Sequence, residues 1–220
     1  MPVSSLKVSL QVLPVAAMAL FPLPAAAQED SGVKAAEAYA AAVLGDECDR
    51  NGMTDIPVGS TEPESFSHHV YPLTFRYVYQ AADEPERKAT LYQIFCGSGA
   101  YNIRSAYVLK LEEENGFKLV GFPHPALKTE YEDAGQTRLK TPPSVTGFTS
   151  RFLLVNPAFD PATVTIRSHA LWRGLGDAWD SGDWIFEDGS FALKRYEVDP
   201  TFDAGGKQEA PGSYVVFQAP

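Results

Sequence analysis

Leu73-Thr74-Phe75-Arg76-Tyr77-Val78-Tyr79 carries the large apolar groups Leu73, Phe75, Tyr77 and Tyr79 at every second position. A period of two places them on one face of an extended chain, and aromatic side chains fit that pleated surface, so the stretch predicts a half-buried strand. Downstream, the polar turn Asp83 to Lys88 leads into a second strand, Thr90 to Cys96. Ser105 to Leu111, the turn Glu112 to Gly116, and Phe117 to Val120 predict a hairpin. The proline-containing run Phe122 to Pro143 reads as a connection that divides two lobes or covers one, and Gly147 to Val155, Thr163 to Leu171, Asp183 to Phe186 and Phe191 to Val198 are the remaining strand candidates. Upstream, Val33, Ala36, Ala40, Val43 and Leu44 form one stripe of a short helix that Ser31 would cap and Gly45 would end. Residues 46–68 read as a loop. The expected fold is mainly β, with antiparallel sheets and one N-terminal helix.

Residues 1–27 read as a removable export signal. Lys7 is a short positive n-region, Val8 to Leu23 an apolar h-region, and Ala25-Ala26-Ala27 the small-residue cleavage pattern before Gln28. Pro14 and Pro22 interrupt the apolar run, which lacks the roughly 20 clean residues of a spanning helix, and no later segment qualifies as a membrane span. The expected organisation is therefore a signal at 1–27, a helix and loop at 28–70, and a β-rich domain at 71–220, located in the periplasm or secreted.

The 220 residues hold 28 acidic and 18 basic groups, a formal charge of −10. That surplus argues against a nucleic-acid partner, whose phosphates require Lys and Arg to neutralise them. Cationic proteins, envelope components, divalent ions or neutral sugars fit better. Cys48 and Cys96 are the only two cysteines, and in an oxidising compartment two thiols are expected to pair as a disulfide.

Two segments share an order: strand, Gly-x-Gly, strand, acidic turn, Gly, Phe-x-Leu. In the first, Gly97 and Gly99 precede Gly116-Phe117-Lys118-Leu119; in the second, Gly174 and Gly176 precede Gly189-Ser190-Phe191-Ala192-Leu193. A duplicated β unit explains that order and would put the two glycine turns at matching places, with Phe117 and Phe191 both buried.

The stretches Cys96-Gly97-Ser98-Gly99-Ala100-Tyr101-Asn102, Leu154-Val155-Asn156-Pro157-Ala158-Phe159-Asp160-Pro161-Ala162-Thr163, and Arg173-Gly174-Leu175-Gly176-Asp177 followed by Trp184 and Gly189-Ser190-Phe191 resemble the exported bacterial proteins grouped as domain of unknown function 1176. The likeness covers about residues 90 to 197. It implies an extracytoplasmic location and a β-rich fold, and brings no activity. The family pattern has a cysteine directly after Gly-Leu-Gly-Asp and another after the last strand; here Ala178 holds the first position and no cysteine follows Cys96, which implies a lost disulfide.

No complete catalytic set is legible. The Gly-x-Gly turns lack the third glycine and the βαβ setting of a dinucleotide fingerprint. Ser98 lacks the Gly-x-Ser-x-Gly elbow that would pair it with His68, His69, His124 or His169. The histidines show no metal spacing, and Asp49 to Asp55 only faintly resembles a calcium loop, without the bidentate glutamate. No cofactor is implied. Trp172, Trp179 and Trp184 are interleaved with Gly and Asp, as where flat indoles stack on sugar rings and carboxylates bind hydroxyls. The candidate binding residues are thus Asp177, Asp180, Asp183 and Trp179 with Gly97, Gly99, Gly174 and Gly176. The leading expectation is a non-enzymatic binding or envelope-associated module. The alternative is a cell-wall or glycan hydrolase drawing a carboxylate pair from Asp177, Asp180, Asp183 and Glu187.

Overall fold

Two antiparallel meanders face one another. The computed structural model describes residues 25–59, 66–203 and 212–220. In the first meander β1 (His69–Phe75), β2 (Arg87–Ser98), β3 (Ile103–Leu111) and β4 (Lys118–Leu119) pair in chain order. A separate hairpin follows, β5 (Phe122–Tyr131) and β6 (Leu139–Arg151), and the chain then returns as β7 (Leu153–Val155) to pair with β3. The second sheet holds β8 (Ala158–Asp160), β9 (Thr165–Leu171), β10 (Trp179–Glu187), β11 (Ser190–Asp199) and β12 (Tyr214–Gln218), also as chain-order neighbours.

Alternation along β2 explains the layering. Leu91 belongs to the core between the sheets, whereas Tyr92, Ile94 and Cys96 meet the N-terminal helix α1 (Ala25–Leu44) through Val33, Ala36 and Ala40. With both faces covered, β2 is buried without a break from Leu91 to Gly97. The inter-sheet core is aromatic: Tyr107, Phe122, Trp184, Phe191 and Tyr196 are all at most 5% exposed. Trp184 lies flat on Gly182, whose missing side chain makes the room; a Cβ there would come within 2.3 Å of the indole. The expected disulfide is formed between Cys48 and Cys96, with their Cα atoms 4.2 Å apart, and pins the turn after α1 to the end of β2.

Several expectations are corrected. α1 begins at Ala25, so Ser31 lies inside the helix rather than capping it. The export-signal reading falls on residues outside those described, apart from Ala25 to Ala27, which open α1. β1 ends at Phe75: Tyr77 and Tyr79 stack on each other beyond the strand, with centroids 5.0 Å apart, and Tyr79 is 77% exposed. The run Phe122 to Pro143 is a hairpin rather than a connection. Its prolines are tolerated because each strand has only one partner and register shifts relax the pairing between β5 and β6.

The repeated order does correspond to a repeated topology. β1 to β4 and β8 to β11 are both four-stranded meanders, and each Gly-x-Gly turn joins the second strand to the third. Burial of the two Phe-x-Leu segments does not match. Phe191 is buried between the sheets, but Phe117 is only half-buried and packs on the helix side against Tyr39 and Tyr92. Side chains alternate along a strand, so a one-residue difference in register turns the same motif to the opposite face.

Candidate functional site

The two glycine turns sit side by side. The first is closed by Gly99 N–H donating to Asn102 O at 2.7 Å, and it presents Tyr101 so tightly to Gly174 of the second turn that a Cβ there would come within 2.9 Å of the ring. The second is closed by Gly176 N–H donating to Arg173 O at 3.0 Å, with Gly176 in the left-handed region at φ 71°. Ala178, fully buried just after it, donates no side chain to a bridge; its carbonyl accepts from Trp172 N–H at 2.9 Å.

Asn102 and Asn156 close the seam between the sheets. Asn102 Nδ2 donates to Leu171 O at 2.8 Å and its Oδ1 accepts from Leu171 N–H at 3.3 Å. Asn156 Nδ2 reaches both Asn102 Oδ1 at 3.0 Å and His169 O at 2.9 Å, while its Oδ1 accepts from Ile103 N–H at 2.7 Å. The three stretches that carry the family resemblance therefore meet at one place.

Beside this seam, between the β5–β6 hairpin and β9 to β11, opens a cleft of about 600 Å³. Its floor is a chain of hydrogen bonds. The Tyr196 hydroxyl donates to Asp180 Oδ1 at 2.6 Å and lies 2.6 Å from His124 Nε2, and the Trp172 indole N–H donates to Asp180 Oδ2 at 2.7 Å. His124 Nδ1 lies 3.0 Å from Pro125 O, so the imidazole meets an oxygen at each nitrogen. Tyr196, His124 and Asp180 are all at most 9% exposed. Burial, with a smaller contribution from the Asp180 charge, pushes the Tyr196 phenol far above its ordinary range. Burial first, and then the Arg151 guanidinium, hold His124 below the usual histidine value against the opposing pull of Asp180 and Pro125 O. Trp172 remains 38% exposed at the mouth, where Phe202 stands beside it at a centroid distance of 6.1 Å.

The residues singled out in the sequence are separated by the fold. Asp180 joins the cleft floor. Asp183, three residues along the same strand, emerges on the opposite face and is held by Arg167 Nε at 2.7 Å. Asp177 is held by Arg173 Nε at 2.8 Å and Glu187 by Lys194 at 2.8 Å, so each of these carboxylates has its own cation. Trp179 shares the outer face of β10 and packs against His169, with ring centroids 5.0 Å apart. Gly97 and Gly99 flank Ser98, whose carbonyl and hydroxyl both accept from Asn51 Nδ2, at 3.0 and 2.8 Å. The Asp49 and Asn51 carboxyl and amide oxygens converge beside Gly97, but the Arg104 guanidinium occupies the same spot, which disfavours a cation there. Among the described residues no cluster of three or more His, Cys, Asp or Glu has metal-ligand geometry, and no helix is long and apolar enough to cross a membrane.

His124, Arg151 and Tyr196 were not legible as site residues. His124 lies between Pro123 and Pro125 in a run that resembles a loop, and Tyr196 follows the ordinary alternation of a core strand. Tyr196 meets Asp180 and His124 across 16 and 72 residues of chain, and Arg151 joins them only where the hairpin lines the cleft.

Fold and site together define a mainly β protein of two antiparallel meanders, stapled to an N-terminal helix by one disulfide. Residues 76–216 match the family described as "Protein of unknown function (DUF1176)", and the chain belongs to that family. No curated protein and no solved structure matches the chain.

Proposed function

We propose that this is an exported, non-enzymatic binding module whose ligand occupies the cleft between the β5–β6 hairpin and the second sheet. The observation that carries the reading is Trp172: the residue is 38% exposed at the mouth while its indole N–H is locked to a buried carboxylate. An aromatic surface held in one orientation meets a ligand with little ordering cost. The polar groups below it support recognition over hydrolysis. Asp180 is the one carboxylate among the described residues lining the cleft, and both its oxygens already accept hydrogen bonds. A glycosidase pair requires a second carboxyl group about 5 to 10 Å away beside the same cleft. Export is supported by the N-terminal signal pattern and by a disulfide, which persists where the surroundings are oxidising.

The test is titration of the indole-¹⁵N-labelled protein with a panel of neutral, amino and acidic oligosaccharides and short envelope peptides. Binding through the cleft moves the Trp172 indole N–H resonance and leaves that of Trp184 in place. A panel that leaves Trp172 unmoved, or whose members are cleaved during the titration, overturns the reading.

A further inference from the structure

Among the described residues lining the cleft, Arg151 is the one arginine or lysine and is exposed, whereas the one carboxylate, Asp180, is buried, although the chain as a whole carries −10. Asp180 lies beneath the surface with both oxygens already accepting, from Tyr196 and Trp172, so it has no oxygen free for a ligand hydroxyl. Asn102 is spent on Leu171 and Asn156. The Thr149 hydroxyl donates to His124 O at 3.4 Å. Arg151 differs from all of these. Among the described residues no carboxylate lies within 4.0 Å of it, whereas Arg167, Arg173 and Arg195 of the second sheet are each paired with an acid. In register Arg151 stands opposite Phe122, two residues from Thr149 opposite His124. It therefore belongs to the face of the hairpin that lines the cleft.

Resting on the reading of this cleft as a binding site, we infer that its ligand is an acidic sugar of the hexuronate class, with the ring against Trp172 and the carboxylate on Arg151. A guanidinium recognises a carboxylate through two parallel N–H···O bonds, which a neutral hydroxyl cannot reproduce. The flat, half-exposed indole supplies the apolar surface for the C–H face of a pyranose ring. The acids at Asp177 and Asp183 do not oppose such a ligand, because Arg173 and Arg167 neutralise them outside the cleft. The ligand charge is thus opposite to what the acidic composition suggests. Composition averages the whole surface, whereas a ligand in a cleft meets the few charged groups exposed to it, here Arg151.

Calorimetric titration of the full chain with trigalacturonate and with uncharged galactotriose tests this. The expected result is trigalacturonate binding about tenfold or more tighter than galactotriose, with the difference narrowed by salt. Arg151→Gln should reduce trigalacturonate to the affinity of the neutral sugar, and Arg151→Lys should fall between, keeping charge but losing the bidentate fork. Equal binding of both sugars, unchanged in Arg151→Gln, overturns the acidic class while leaving the cleft as a binding site. Tight trigalacturonate binding that Trp172→Ala does not weaken overturns both. Binding of neither sugar overturns this inference, and the wider panel then decides the cleft on its own.

Discussion

Asn156 Nδ2 and Asn102 Oδ1 meet at 3.0 Å, although the two residues are 54 positions apart and emerge from different stretches of the chain. Each amide also holds backbone on the second sheet, Asn102 at Leu171 and Asn156 at His169. Asn156 adopts φ 44°, a left-handed backbone that asparagine tolerates better than most residues. The pair therefore acts as a two-amide clasp between sheets that have no strand in common.

Replacing Asn102 by Ala should lower unfolding free energy by about 3 kcal/mol, since it removes three hydrogen bonds and leaves Leu171 and Asn156 short of partners. Urea denaturation measures the loss. A change below about 1 kcal/mol would show that water replaces the clasp.

The Cys48–Cys96 bond closes a separation of 48 residues. The chain-entropy argument assigns such a loop about 4 kcal/mol, and the double variant Cys48→Ala/Cys96→Ala should lose stability of that order. Non-reducing peptide mapping of the native protein should recover the two cysteines linked; free thiols at both positions would contradict the structure.

His68 should make stability fall on acidification. The ring is 2% exposed, its Nδ1 accepts from Phe95 N–H at 3.1 Å, and burial, followed by Arg50 and His69, lowers its pKa from 6.5 to about 4. The unfolded chain takes up the proton first. The stabilisation is therefore present above pH 6.5, declines as the pH drops towards 4, and amounts to about 3 kcal/mol at about 1.4 kcal/mol per unit. Denaturation between pH 8 and 4 should show the decline in the native protein and a shallower one in His68→Gln. Parallel slopes would assign the acid sensitivity to other groups.

Tyr196→Phe keeps the packed ring but removes the hydroxyl between Asp180 and His124. The loss should be about 2 kcal/mol, because two buried partners are stranded at once. Tyr71→Phe, whose hydroxyl makes a longer bond of 3.3 Å to Gln93, should cost less. The reverse order in thermal denaturation would show that the relay is not a stabilising element.

Export with cleavage after Ala27 should yield a mature protein beginning at Gln28. Intact mass spectrometry of the protein recovered from the periplasm reads this directly, and retention of residues 1–27 would refute it.

What the sequence determined by itself is the local chemistry of strands and turns. Alternation at Leu73 and Phe75, β-rich runs at Thr90 to Cys96 and Thr163 to Leu171, and glycines at the turns suffice to specify an antiparallel β protein, because a half-buried strand has a period that survives in one dimension. The two cysteines were enough to specify the disulfide. Tertiary structure decided the rest. The prolines of β5 and β6 concealed a hairpin, since only its position away from the sheet interiors makes them tolerable. Phe117 and Phe191 share a motif but face different layers, because face is set by register against a neighbouring strand. Asp177, Asp180 and Asp183 read as one acidic group, yet one lies on a cleft floor and the others meet separate arginines. Which charges survive uncancelled depends on side chains from distant strands meeting in space, and no spacing along the chain records that.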